Sequence, residues 1–167
     1  MPRKSVKENK SVYQLAREEC GLTRDKASES MNDFISPEKL EKIENGRLQS
    51  ITPDDVWELS KCYKKPELCN YYCTHECAIG RKIMPEVKSK ELAQIAVETL
   101  NSLTKLNRER DRLLEIVVDG QVSDDEMNDF LSIKNTLEQI SLSVGSLQLW
   151  IENTIADGKL DRKHFEK

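Results

Sequence analysis

Residues 21–63 read GLTRDKASESMNDFISPEKLEKIENGRLQSITPDDVWELSKCY, and the punctuation inside this stretch decides the fold. Thr23, Ser36 and Thr52 each precede a run of helical periodicity. There a hydroxyl can accept from an N–H of the first turn that has no partner within the helix. Pro37 and Pro53 follow at the first helical position, where a missing N–H costs nothing. Thr52-x-x-Asp55 has the form of a capping box. Asn32-Asp33 and Asn45-Gly46 are stop signals. Between them, Ala27 and Met31, then Leu40 and Ile43, then Val56, Leu59 and Tyr63 recur at the spacing of inward helical faces. Upstream, Ser11-x-x-Gln14 opens another helix, with Val12, Leu15, Ala16 and Cys20 expected on its inner face and Gly21 at its end. Residues 11–65 therefore predict a domain of four short helices around one apolar set.

The chain changes character on either side. Residues 1–10 are polar and basic (Arg3, Lys4, Lys7, Lys10) and predict a flexible arm. Residues 66–85 form a Cys-rich connector bracketed by Pro66 and Pro85. Residues 86–167 carry two long heptad-like patterns. Leu92, Ala96, Thr99, Leu103, Leu106, Arg110, Leu113 and Val117 repeat at 4-3 spacing, as do Phe130, Ile133, Leu137, Ile140, Val144, Leu147 and Ile151. Asp119-Gly120 separates them and Ser123-x-x-Glu126 caps the second. Two such helices, each about 45 Å long, joined by a short turn, predict an antiparallel helical hairpin. No stretch reads as a strand, so the predicted fold class is all-α.

Composition bounds the function. Charged residues make up 34% and aromatics 5%, which suits solvated helices rather than sheets. The net charge is -4, so the chain as a whole is not a polyanion-coating protein. Residues 1–65 hold 13 Lys and Arg against 12 Asp and Glu, and residues 66–167 hold 13 against 18, so the acid lies toward the C-terminus. No apolar run reaches the roughly 18 residues of a membrane span, and no secretory h-region follows the start. The expectation is a cytoplasmic protein whose five Cys stay reduced.

The ordered pieces Gly21-Leu22-Thr23, Ala27, Ile35-Ser36, Leu40, Ile43-Glu44-Asn45-Gly46, Pro53 and Tyr63 resemble the lambda-repressor-like (XRE) helix-turn-helix family of bacteria and phages. The resemblance implies that residues 11–65 form a helix-turn-helix domain whose second helix crosses the DNA backbone while its third enters the major groove. Carried over by position, Thr23 and Arg24 would meet the backbone. Glu38, Lys39 and Lys42 would face the bases from the third helix, Ser36 at its start counts among the DNA-binding residues, and Asn45, Gly46 and Arg47 would meet a phosphate after it. The implied function is a DNA-binding transcriptional regulator acting as a homo-oligomer on duplex DNA. Two departures stand out. The turn from Asn32 to Ser36 is longer than the family's and lacks its glycine. Glu38 and Glu41 accompany Lys39 and Lys42, and glutamate repels phosphate although it can accept from cytosine. These departures motivate an alternative, a protein-interaction adaptor that uses the same fold without DNA.

Cys62, Cys69, Cys73 and Cys77 lie close in sequence, with His75 among them. Thiolates so near one another can hold zinc or an iron–sulfur cluster. On one helix, however, Cys69, Cys73 and Cys77 would form a stripe whose ends are about 12 Å apart, and small buried thiols are the alternative. Otherwise no cofactor or small-molecule substrate is expected. Residues 119–126, DGQVSDDE, match half of a calcium loop, but Val117 stands where a ligand belongs. No grouping of residues supplies a nucleophile, a base and an orienter, so an enzyme is not expected. Apolar residues off the heptad seams (Ile95, Leu100, Leu114, Ile116, Leu131, Leu142, Leu149, Trp150) predict a homodimer through the hairpin.

Overall fold

The computed structural model describes residues 9–47, 51–118 and 120–165. Among these residues its regular structure is all helical, with no strand. The helices are α1 (Val12–Glu19), α2 (Arg24–Ser30), α3 (Pro37–Glu44), α4 (Pro53–Cys62), α5 (Glu67–Tyr71), α6 (Gly80–Ile83), α7 (Leu92–Ile116) and α8 (Met127–Ala156). A π-helical turn, Tyr72–Glu76, continues α5, and a 3₁₀ turn, Arg162–His164, follows α8. The chain forms two compact units, residues 1–86 with 152–167, and residues 87–151. The expected basic arm falls almost wholly on residues 1–8, outside the described residues, as does Asp119 of the expected break.

In the first unit the caps sit where their chemistry requires. Ser11, Thr23, Ser36 and Thr52 accept from the backbone N–H three residues on, and Thr52 with Asp55 completes a reciprocal capping box. The core gathers Tyr13, Ala16, Ala27, Met31, Ile35, Leu40, Ile43, Val56, Leu59, Tyr63 and Leu68. Between α2 and α3 the backbone turns through Asn32 (φ 51) and Asp33 (φ 57), both left-handed. Asn and Asp tolerate that region better than other side chains, so this longer turn closes without a glycine. Asp33 also accepts from the Ser28 hydroxyl at 3.0 Å.

Helix α1 presents a different face from the one expected. Tyr13, Ala16 and Arg17 are buried, whereas Leu15 and Cys20 are exposed. The reason lies on α3. The Glu44 carboxylate is buried, and Arg17 answers it with Nε at 2.5 Å and Nη2 at 3.0 Å, while its Nη1 donates to the Leu22 carbonyl at 2.6 Å. A search for apolar periodicity cannot place an arginine inward.

The second unit holds α7 and most of α8. Arg112 donates to Asp129 (2.7 Å), and Ser132 and Thr136 both donate to Glu109 (2.9 and 3.1 Å). A Cβ on Gly145 would stand 2.9 Å from the Val87 side chain. Positions thus fall along α7 as they rise along α8, and the two helices pack side by side in opposite directions. Helix α7 starts later than expected because residues 85–91 are not helical.

The inward residues depart from both expected seams. On α7 they are Ile95, Thr99, Ser102, Leu106, Glu109, Leu113 and Ile116, all buried or half-buried. The expected seam holds at Thr99, Leu106 and Leu113, but its alternate positions move back by one residue. On α8 Ile133, Thr136, Ser143, Ser146 and Leu149 are buried, while Leu137, Val144 and Leu147 face solvent. Ser143 and Ser146 satisfy their own oxygens by donating to carbonyls one turn back.

Candidate nucleic-acid interface

Helices α2 and α3 pack on each other around Ala27, Ile35 and Leu40, all fully buried. This leaves Ser36, Glu38, Glu41 and Lys42 exposed on α3. The expected contact residues divide according to what already holds them. Thr23 and Ser36 spend their hydroxyls as caps, accepting from Lys26 and Lys39 at 3.2 and 3.3 Å. Asn45 is the C-cap of α3, followed by Gly46 at φ 63.

The cations are more constrained than the sequence suggested. Arg24 donates through Nε to the buried Glu44 carboxylate at 3.0 Å, sharing it with Arg17. Lys39 points toward α4, where its ammonium lies 2.5 Å from the buried Asp55 carboxylate. Arg47 is 72% exposed, with a guanidinium nitrogen 3.9 Å from Glu41. Lys42 is exposed with no ion pair among the described residues. Beside it, the Glu38 carboxyl is held below its ordinary pKa by its own backbone N–H, the Ser36 hydroxyl and the charge of Lys42. Of the four cations expected at DNA, Arg24 and Lys39 are therefore engaged in the fold, and Lys42 and Arg47 face outward. The exposed surface of α3 carries both signs of charge.

Family models, curated proteins and solved structures contain no match to this chain.

The connector is part of the first unit's packing. Leu68 joins the core, with Cys62, Cys69, Tyr71 and Tyr72 half-buried against it. Tyr13 of α1 donates to Glu76 at 3.1 Å and meets the Tyr71 ring edge-on at 6.1 Å, and Tyr71 stacks on His75 at 4.3 Å. Burial and the adjacent Glu76 charge push the Tyr13 hydroxyl well above its ordinary pKa. The sequence reading missed Tyr13, because it placed Val12, Leu15, Ala16 and Cys20 on the inner face of α1.

The four cysteines weighed as zinc or iron–sulfur ligands are not gathered around a point. Among the described residues no three His, Cys, Asp or Glu side chains form a group able to hold a metal. The near-continuous helix from α5 through the π-helical turn strings Cys69 and Cys73 along its axis, and Cys77 follows with an extended backbone. The Cys62 thiol lies 3.8 Å from the Ala27 carbonyl, and Cys77 Sγ accepts from the Gly80 N–H at 3.4 Å. Gly80 is required here, because a Cβ would fall 2.1 Å from the Cys73 carbonyl oxygen. That N–H, the one on Ile79 and the charge of Arg81 hold the Cys77 thiol below its ordinary pKa, whereas burial pushes Cys62 and Cys73 up.

No helix among the described residues is long and apolar enough to cross a membrane.

Proposed function

We propose that this protein is a DNA-binding transcriptional regulator of the lambda-repressor-like helix-turn-helix type, acting in the cytoplasm as a homo-oligomer. The observation that carries the reading is the pairing of α2 and α3. Ala27, Ile35 and Leu40 are buried in the core that the two helices share, which leaves one face of α3 at the surface, with Glu38, Glu41 and Lys42 exposed on it and Arg47 exposed just after it. That is the element a major groove can admit. The resemblance that runs from Gly21 to Tyr63 agrees with it.

Fluorescence anisotropy against duplexes drawn from the DNA around the protein's own gene, repeated across salt concentrations, tests the proposal. Binding is expected to weaken as salt rises. Lys42→Ala and Arg47→Ala should each reduce the logarithmic salt slope by about one. Absence of binding to every duplex at low salt overturns the regulator reading.

A second reading, an adaptor that contacts protein through the same surface, is favoured by one observation. Arg24 and Lys39 are held by Glu44 and Asp55, which leaves Glu38 and Glu41 as a large part of the exposed charge on α3. In that case the partner is a protein with a basic patch, and α3 binds it without nucleic acid.

A further inference from the structure

The thiols divide by the hydrogen bonds they make. Cys20 Sγ donates to the Tyr63 carbonyl at 2.9 Å, and Cys62 Sγ faces the Ala27 carbonyl at 3.8 Å. A carbonyl oxygen can only accept, so both contacts favour the protonated thiol. Cys77 Sγ does the opposite and accepts from the Gly80 N–H at 3.4 Å, which favours the thiolate. The Gly80 and Ile79 N–H groups and the charge of Arg81 hold Cys77 below its ordinary pKa, whereas burial holds Cys20, Cys62 and Cys73 above theirs. The chain that delivers these N–H groups folds back on Cys73. A Cβ on Gly80 would fall 2.1 Å from the Cys73 carbonyl oxygen, and the Cys77 N–H donates to the Tyr72 carbonyl at 2.9 Å. Cys73 thus lies one helical turn before Cys77, with α-carbons about 6 Å apart, within the span that a disulfide bridges. Both thiols are half-buried, so each keeps a side open to solvent.

We propose that Cys73 and Cys77 are a redox-active dithiol, which a low-molecular-weight disulfide of the glutathione class converts to an intrachain disulfide. The Cys77 thiolate attacks one sulfur of the small disulfide. A bond forms from Cys77 Sγ to that sulfur, the small molecule's S–S bond breaks, and its other half leaves as a thiolate that takes a proton from water. Cys73 then gives its proton to water and attacks Cys77 Sγ, and the second small thiolate leaves and is protonated. Two protein thiols are oxidised, and one disulfide is reduced to two thiols. The roles follow from the surroundings. Cys77 has the N–H donors that suit an attacking thiol, and Cys73, its neighbour one turn away, is the resolving thiol. The new bond encloses Thr74, His75 and Glu76, and the Glu76 carboxylate accepts from Tyr13 of α1 at 3.1 Å. Oxidation therefore acts beside the contact that ties the connector to α1. The site does not depend on DNA binding.

Full-length protein equilibrated with reduced and oxidised glutathione, then alkylated and weighed as the intact chain, tests the inference. At oxidising ratios two of the five cysteines should stop reacting with the alkylating agent, and the chain should lose two hydrogens without retaining glutathione. Cys73→Ser should stop at the mixed disulfide, one glutathione heavier, because nothing resolves Cys77. Cys77→Ser should keep its remaining thiols alkylatable, and Cys69→Ser should still form the bond. Should a serine variant lose helical circular dichroism, differential alkylation of the wild type with peptide mass mapping replaces it. The protected thiols should then be Cys73 and Cys77. A wild type that keeps every thiol reactive at oxidising ratios overturns the inference. So does a protected pair elsewhere, such as Cys20 with Cys62 or Cys69 with Cys73, or a Cys77→Ser chain that loses two thiols as readily as the wild type.

Discussion

The two units bury their residues by different means. In the first, aromatic and large aliphatic side chains from α1 to α5 converge on one core, and the two buried carboxylates, Glu44 and Asp55, each have a cation in contact. In the second, the inward face mixes Ile95, Ile116, Ile133 and Leu149 with Thr136, Ser143 and Ser146, while Leu103, Leu114, Leu137, Val144 and Leu147 stay outside. A short-helix cluster can surround its apolar residues, whereas two helices side by side have only one shared seam. The first unit therefore closes a core of its own, although Phe34, Trp57, Ile79 and Ile83 stay exposed and the buried Tyr63 hydroxyl has no hydrogen-bond partner among the described residues, and the second keeps leucines and valines at its surface.

The largest break in that comparison should come from Glu44. Glu44→Ala leaves Arg17 buried without its carboxylate, and removing one member of a buried pair costs about 3–5 kcal/mol. Urea unfolding followed by circular dichroism should show that loss. A drop below about 1 kcal/mol, the scale of an exposed pair, would mean that the cluster does not hold the first unit together.

Asp55 sharpens the same point through pH. Burial works against its charge, but the Lys39 ammonium and the Thr52 cap outweigh burial and hold the carboxyl below its ordinary pKa. Its stabilisation is then fully present above the unfolded value near 3.9 and is lost as pH falls through the lower folded one. Asp55→Asn should cost about 1–2 kcal/mol at neutral pH, since Lys39 is partly open to solvent. The variant's acid limb should be flatter than that of the wild type, and an unchanged limb would assign the acid transition to other carboxylates.

The smallest effect belongs to the second unit. Val97 is 58% exposed on α7, off the inward seam. Val97→Ser should change thermal stability by no more than about 0.5 kcal/mol. A larger loss would place Val97 in the packing of the helical pair.

The four caps, the turn at Asn32-Asp33, the Pro37 start and most inward residues of α2 to α4 could be read before any coordinates were known. The expected DNA-facing set was legible as positions but not as free charges. Nothing in the order of residues indicates that Lys39 reaches Asp55, or that Arg24 shares Glu44 with Arg17. The metal alternative at Cys62, Cys69, Cys73 and Cys77 rested on closeness in sequence, whereas the fold puts Cys62 on α4, Cys69 and Cys73 along the helix that runs from α5 into the π-helical turn, and Cys77 on extended backbone.

Sequence alone determined where α1 to α4 begin and end, because a cap or a left-handed turn is settled by hydrogen bonds within a few residues. It also determined that the chain is helical and that its last part carries two long amphipathic patterns. Only the tertiary structure decided which face of each helix turns inward. On α1 a buried carboxylate drew Arg17 inward and left Leu15 out. On α7 the seam moved by one residue at alternate positions, and on α8 Thr136, Ser143 and Ser146 turned inward in place of Leu137, Val144 and Leu147. Periodicity ranks residues by apolar character, whereas the folded pair ranks faces by fit and by the partners waiting across them.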